Sequence, residues 1–304
     1  MRPSRRDFVG GSVATVVAAT TPLGRALAAG SPPDLVDVEG QDPAKMVAAA
    51  LDALGGIGKF VRPGDYVVIK PNAGFANPAS WATTTHPDTV VALAKACLEA
   101  KAKRVTVLEF PLGKGKRCLD RCGLSAALAS VPAVKVKVLG DPSDFKKVKI
   151  PGGVATDSVE IAKAALSADV LINVPNAKAH NDTGVSFGMK NAMGLIYNRR
   201  VFHTHLDIHQ AIADLARVIK PHLTIVDATR VLLTNGPAGP GETAALGRLV
   251  AAPNVVSADA YALTLARYNQ RRMSLADAPH IKLAGEAGLG QTDLSRLQIR
   301  KVRA

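Results

Sequence analysis

Asp169-Val-Leu-Ile-Asn-Val-Pro-Asn176 decides how this chain is read. Its apolar run is too short for a helix, is rich in β-branched residues and is stopped by a proline. That is the pattern of a strand buried on both faces. The same grammar returns in Asp65-Tyr-Val-Val-Ile-Lys-Pro-Asn72, in Arg104-Val-Thr-Val-Leu-Glu-Phe-Pro111 and in His222-Leu-Thr-Ile-Val-Asp227. Helical patterns fill the intervals, at 43–60, 86–102, 117–129, 158–167 and 206–219. The last carries apolar residues at 208, 211, 212, 215, 218 and 219, one helical stripe. Strands alternating with helices predict an α/β fold: a mostly parallel sheet with helices on both faces, a Rossmann-like three-layer sandwich. Residues 134–139 and 145–150 read as a strand pair, with Pro151-Gly152-Gly153 as a turn. Val255-Val256 and 297–302 read as late strands, with helices at 258–268 and 278–287 between them.

The N-terminus reads differently. Ser4-Arg-Arg-Asp-Phe8 is followed by an uncharged apolar run from Val9 to Leu23 and by Ala26-Leu-Ala28. A basic start, a short apolar core and an A-x-A end form an export signal. Its S-R-R-x-F pattern resembles the twin-arginine address. Residues 1–28 are therefore expected to be a twin-arginine signal, and 29–304 the folded domain. By that resemblance the chain engages the twin-arginine translocation machinery and works in the periplasm. The apolar run is too short and too rich in Ala, Gly and Thr for a comfortable membrane span, so no stable span is expected after cleavage.

The chain has 304 residues and a formal net charge of +13. Residues 1–28 carry four Arg and one Asp, so the remainder keeps +10. Lys and Arg are scattered, and aromatic side chains make up only 4% of the residues, too few for a base-stacking surface. Nucleic acid is not an expected partner; a small anionic ligand or a metal ion is. The three cysteines are Cys97, Cys118 and Cys122. One pair four residues apart, with no second pair, does not complete a four-ligand site. An iron–sulfur cluster held by this chain alone is not expected.

Chemistry-bearing residues gather where strands end: Lys70 and Asn72, Glu109, Asn173 through His180, then Asp227 and Arg230. In a parallel sheet these ends share one rim, where ligands bind. The densest segment, 173–194, supplies Lys178, His180, Asp182, Lys190 and Asn191, with Gly184 and Gly188 between them. A helix start is read near Val185-Ser186, and its free N–H groups suit an anion. Neither G-x-G-x-x-G nor G-x-x-x-x-G-K-[ST] occurs there. His203, His205 and His209 with Asp207 form a candidate divalent-metal cluster. The i, i+4 spacing of 205 and 209 puts them on one helix face if the helix begins early enough.

The run Asn173-Val-Pro-Asn-Ala-Lys-Ala-His180, with Thr183-Gly184 and Lys190-Asn-Ala-Met-Gly-Leu195, resembles the core of the DUF362 family. Ile69-Lys-Pro-Asn72, Ala213-Asp214-Leu215, Ile225-Val-Asp227, Gly236-Pro237 with Gly241, Ser257-Ala-Asp259 and Ala287-Gly-Leu-Gly290 extend the resemblance over nearly the whole chain after the signal. Some relatives add a ferredoxin-like domain with cluster-binding cysteines, which this chain lacks. His180, Gly184 and Lys190 are also similar to the lysine loop of lactate-racemase-type enzymes. There a nickel pincer cofactor is tethered to a lysine and the metal takes a histidine.

Together these readings predict an exported α/β enzyme. His180 and Lys190 are its candidate catalytic pair, and Lys70, Asn72, Lys178, Asn191 and Asp227 its candidate cofactor- or ligand-binding residues. His203, His205 and His209 are its candidate metal ligands. The alternatives are a non-catalytic metal- or anion-binding protein, a nickel-pincer-type enzyme, and a purely structural domain.

Overall fold

The apolar runs become strands where the sequence places them. The computed structural model describes residues 32–304; the signal expected at 1–28 lies outside the described residues. In chain order the strands are β1 Leu35–Glu39, β2 Tyr66–Pro71, β3 Arg104–Glu109, β4 Val134–Val138, β5 Phe145–Lys149, β6 Ser158–Ala162, β7 Val170–Val174, β8 Asn176–His180, β9 Gly184–Ser186, β10 Leu223–Leu232, β11 Thr243–Ala244, β12 Arg248–Ala252, β13 Arg267–Tyr268, β14 Arg271–Arg272 and β15 Ile299–Arg303. The main sheet runs β15-β1-β12-β10-β7-β2-β3-β4. β10, β7, β2, β3 and β4 are parallel neighbours. β12 is antiparallel to both β1 and β10, and β15 lies parallel to β1.

Successive residues of a strand face opposite sides of the sheet, and here each side has its own core. Val67, Ile69, Val105, Val107 and Ile172 pack with Met46, Val90, Leu93 and Cys97. Val68, Leu108 and Leu171 pack on the other side with Ile212, Leu215 and Ile281. Helices thus cover both faces, and the α/β sandwich is as read. The helices start where the chain offers caps. Asp42 accepts from Ala44 N–H and opens Pro43–Ala53 with Pro43 in the first turn. Asp207 accepts from the N–H groups of His209 and Gln210 and opens Ile208–Val218.

Four local expectations need correction. β4 pairs with β3 and β5 with β6, so 134–139 and 145–150 do not pair with each other. Residues 158–167 are not one helix: Val159 and Ile161 point into the core at period two, forming β6, and only Lys163–Leu166 turns helical. Val255 and Val256 open the helix Val255–Ala262, capped by Asn254; the strand there is β12. Residues 43–60 break after Ala53 and resume as a short 3-10 turn at Ile57–Lys59.

All three cysteines are buried and unpaired. Burial pushes the Cys97 thiol up to about 12, and raises Cys118 and Cys122 as well.

Candidate functional site

The site grows from adjacent strand ends. Lys70, near the end of β2, is 1% exposed, and its ammonium lies 2.9 Å from the carboxylate of Glu109, the last residue of β3. It also donates to the Pro71 carbonyl. Glu109 accepts from the N–H groups of Ala73 at 2.5 Å and Phe110 at 2.9 Å. Burial lowers the Lys70 pKa, opposed by the Glu109 charge. Asn191 bridges this corner, donating to the Lys70 carbonyl at 3.2 Å and to Asn173 Oδ1 at 2.8 Å.

β8 is the strand that the polar run Asn176–His180 conceals. Ala177 and Ala179 enter the core, so Asn176, Lys178 and His180 share the opposite face. The Lys178 ammonium donates to the Thr83 carbonyl at 2.5 Å and to Asn72 Oδ1 at 3.3 Å, and lies 4.7 Å from the centre of the Phe75 ring. Burial, helped by the Lys190 charge, brings its pKa down to about 7. The Asp182 N–H donates to His180 Nδ1 at 3.1 Å, which leaves the neutral ring's proton on Nε2. Burial first, then the Lys190 charge, holds the His180 pKa far below its ordinary value.

The helix start expected at Val185-Ser186 lies at Gly188, and its amides are already taken. Asp259 accepts from Gly188 N–H at 2.7 Å and Met189 N–H at 2.8 Å. The anion at this helix start is the protein's own carboxylate. A Cβ on Gly188 would lie 2.9 Å from Asp259 Oδ1 and 2.7 Å from Val255, so glycine is needed for the close approach. Two residues on, Lys190 extends to His203: Nζ is 3.5 Å from Nε2, and His203 Nδ1 is 2.9 Å from Asp182 Oδ2. Burial, with Arg199 adding to it and Asp182 opposing it, brings Lys190 down to about 8.

These groups line one cavity of about 680 Å³ on the carboxyl rim. Lys70, Asn72, His180, Lys190, Asn191 and His203 line it. Lys178 stands behind Asn72 and Phe75. Asp227 is spent elsewhere, accepting from His86 N–H at 2.6 Å and the Thr229 hydroxyl at 2.6 Å. The three histidines of 203–209 do not converge. His205 precedes the Asp207 cap, so it is off the helix; it is exposed and bonds Thr204 Oγ1 at 2.6 Å. His209 faces His280, with Nδ1 atoms 3.4 Å apart. Among the described residues no group of three or more His, Cys, Asp or Glu is arranged to hold a metal ion.

Several lining residues carried no sequence signal. The Arg199 guanidinium donates to the Phe110 carbonyl at 2.7 Å and the Pro111 carbonyl at 3.1 Å, and lies 4.1 Å from the Phe110 ring centre. Arg200, Tyr197 and Phe75 complete the wall. With Lys70 paired to Glu109, the cavity keeps an excess of positive charge beside aromatic surface. That combination suits an anion with an apolar or planar body.

Fold and site define an α/β protein with a mostly parallel sheet and a cationic cavity on the carboxyl rim of that sheet. Residues 67–264 match the family described as "Domain of unknown function (DUF362)". The chain belongs to that family. It is 29% identical over 222 residues to "Thylakoid-associated protein sll1697" of Synechocystis sp. (strain ATCC 27184 / PCC 6803 / Kazusa), a match covering 69% of this chain and 65% of that relative. Among solved structures, the lactate racemase apoprotein from Thermoanaerobacterium thermosaccharolyticum aligns with a TM-score of 0.47 and 14% identity, covering 67% of this chain and 52% of that one.

Proposed function

We propose that this protein is an exported enzyme that binds a small anionic substrate or cofactor in the carboxyl-rim cavity. Lys190 and His180 are its reacting side chains. The observation that carries the reading is the cavity itself: about 680 Å³, with Lys190, Arg199 and Arg200 around it and Phe75, Phe110 and Tyr197 forming its apolar wall. Cationic side chains draw in and orient the anion. The partly buried Lys190 ammonium can release a proton near neutrality, while the His180 ring, neutral throughout this range, offers its Nε2–H as a hydrogen-bond donor. Asn72 and Asn191 orient, each fixed by a bond to its neighbours. The S-R-R-x-F start supports action outside the cytoplasm, and the cyanobacterial relative bears a name that places that protein at the thylakoid. No helix of the described residues is long and apolar enough to cross a membrane.

The test is ligand retention. Protein purified from its own compartment is examined by native mass spectrometry, then titrated with carboxylates and phosphates. Binding that is lost in Arg199→Ala and Lys190→Ala supports the reading; binding unchanged in both refutes it. Turnover of the bound compound separates an enzyme from a binding protein.

A metal-bearing organic cofactor held at Lys190 and His180 is the second reading, favoured because both side chains line the one cavity. The donor set fits it poorly. The Nδ1 lone pair of His180 accepts the Asp182 N–H, and both ring nitrogens of His203 are engaged, so a metal would have to displace these bonds. Elemental analysis of the same native protein decides it.

A further inference from the structure

We propose that Lys190 is a nucleophilic amine that condenses with a small anionic carbonyl compound, of the 2-oxo acid class, to form an imine in the cavity. The proposal rests on the cavity reading above and names the substrate class for it.

The geometry carries the argument. His203 Nδ1 lies 2.9 Å from Asp182 Oδ2, and a carboxylate can only accept, so Nδ1 bears the proton. The Nε2 lone pair then faces Lys190 Nζ at 3.5 Å. Nucleophile, base and orienting carboxylate stand in series, with an amine in the place a hydroxyl holds in serine hydrolases. The three come from separate elements: Asp182 from the β8–β9 turn, His203 from the helix Arg199–Thr204, Lys190 from the helix that Asp259 caps. Asp182 is half-exposed at the rim and meets His203 across 21 residues of chain.

The charges facing Lys190 agree. Asp182 favours the ammonium and Arg199 disfavours it; Lys178, His180, His203 and His280 all feel the Lys190 charge. Burial decides the balance, and at a pKa of about 8 roughly one Lys190 in ten is a free amine at neutral pH. An ordinary lysine offers roughly one in three thousand.

The step balances. The Lys190 ammonium gives a proton to His203 Nε2, and the free amine adds to the carbonyl carbon. One N–H proton moves to the oxygen, giving a carbinolamine. His203 returns its proton to that hydroxyl, which leaves as water, and the nitrogen becomes an iminium. Arg200 and Arg199 hold the carboxylate of the substrate, and Phe75, Phe110 and Tyr197 exclude water that would reverse the condensation.

The experiment treats the protein with glyoxylate and sodium borohydride at pH 7, followed by intact and peptide mass spectrometry. Propionate, an anion with no reactive carbonyl, is titrated in parallel by thermal shift. The expected result is one reduced adduct on Lys190, absent from Lys190→Arg, and labelling at least tenfold slower in His203→Gln while propionate still binds. Peptide mapping of the unaltered protein decides the matter even if Lys190→Arg fails to fold. Label spread over surface lysines, an unchanged rate in His203→Gln, or a permanent group already on native Lys190 would each overturn the proposal. Propionate binding without labelling removes the imine alone; loss of both removes the cavity reading with it.

Discussion

Glu109→Gln should be among the most damaging single changes in the molecule. Lys70 and Glu109 are 1% and 2% exposed, and the ammonium meets the carboxylate at 2.9 Å. The substitution removes the counter-charge: the glutamine oxygen can still accept from the ammonium, but the NH2 cannot accept the Ala73 N–H, and the buried cation is left without an anion. Breaking a buried pair in this way costs about 3–5 kcal/mol, roughly a fifth or more of a typical domain's ~5–15 kcal/mol. Lys70→Met should cost less, about 1–3 kcal/mol, because Glu109 keeps two backbone N–H donors. The double variant should recover part of the loss, since neither charge is then stranded. The deficit of Glu109→Gln also has a pH signature. Burial already lowers Lys70 below its ordinary value, and without Glu109 it falls further. The unfolded chain then binds more protons than the folded one, so stability rises with pH up to the ordinary lysine value of about 10.5. Urea unfolding followed by circular dichroism, at several pH values, measures all of this. A loss below about 1 kcal/mol, or a double variant no better than Glu109→Gln, would refute the reasoning, which rests on a buried and unscreened pair.

Anion binding in the cavity should weaken as pH rises through about 8, where Lys190 loses its charge; calorimetric titration with a carboxylate that holds its affinity to pH 9 would contradict this. Asp259→Asn should destabilise by about 1–3 kcal/mol, because one backbone N–H loses its acceptor; it should also slow Lys190 labelling, whereas unfolding and labelling identical to the parent would show that Asp259 does not set the helix. Arg5→Lys with Arg6→Lys should stop export, since lysine lacks the planar guanidinium fork; fractionation finding the double variant exported at the normal rate would refute the twin-arginine reading, and N-terminal sequencing should find the mature chain starting near Ala29.

The parallel core was legible because Val67–Ile69, Val105–Leu108 and Val170–Val174 are apolar on both faces, which only a covered sheet demands. β6 was misread although Ser158-Val-Glu-Ile-Ala162 has period two, because a strand of five residues before a helical run looks like the helix's first turns. β8 was missed for a different reason: its inward residues are alanines, too weakly apolar to show against Asn176, Lys178 and His180. The strand-end rule pointed to Lys70, Asn72 and His180, and the dense 173–194 segment to Lys190 and Asn191; all five line the cavity. The rule overreached at Asp227, which satisfies backbone amides instead. Arg199 stayed hidden, and Asp259 showed only as part of the family pattern and without a role, because their partners lie 89 and 71 residues away along the chain, at Phe110 and Gly188. The 203–209 histidines misled through spacing alone, since the Asp207 cap starts the helix after His205.

The buried, unpaired thiols have a consequence for where the molecule can be finished. Cys97, Cys118 and Cys122 are the chain's whole sulfhydryl complement, and each is buried, with burial raising its pKa and favouring the less reactive thiol. No disulfide has to form or reshuffle on the way to the native state, and none can be undone by glutathione. The finished protein should show the same melting temperature in dithiothreitol as in air. A chain of this kind can reach its native state in a reducing compartment and remain unchanged when moved to an oxidising one.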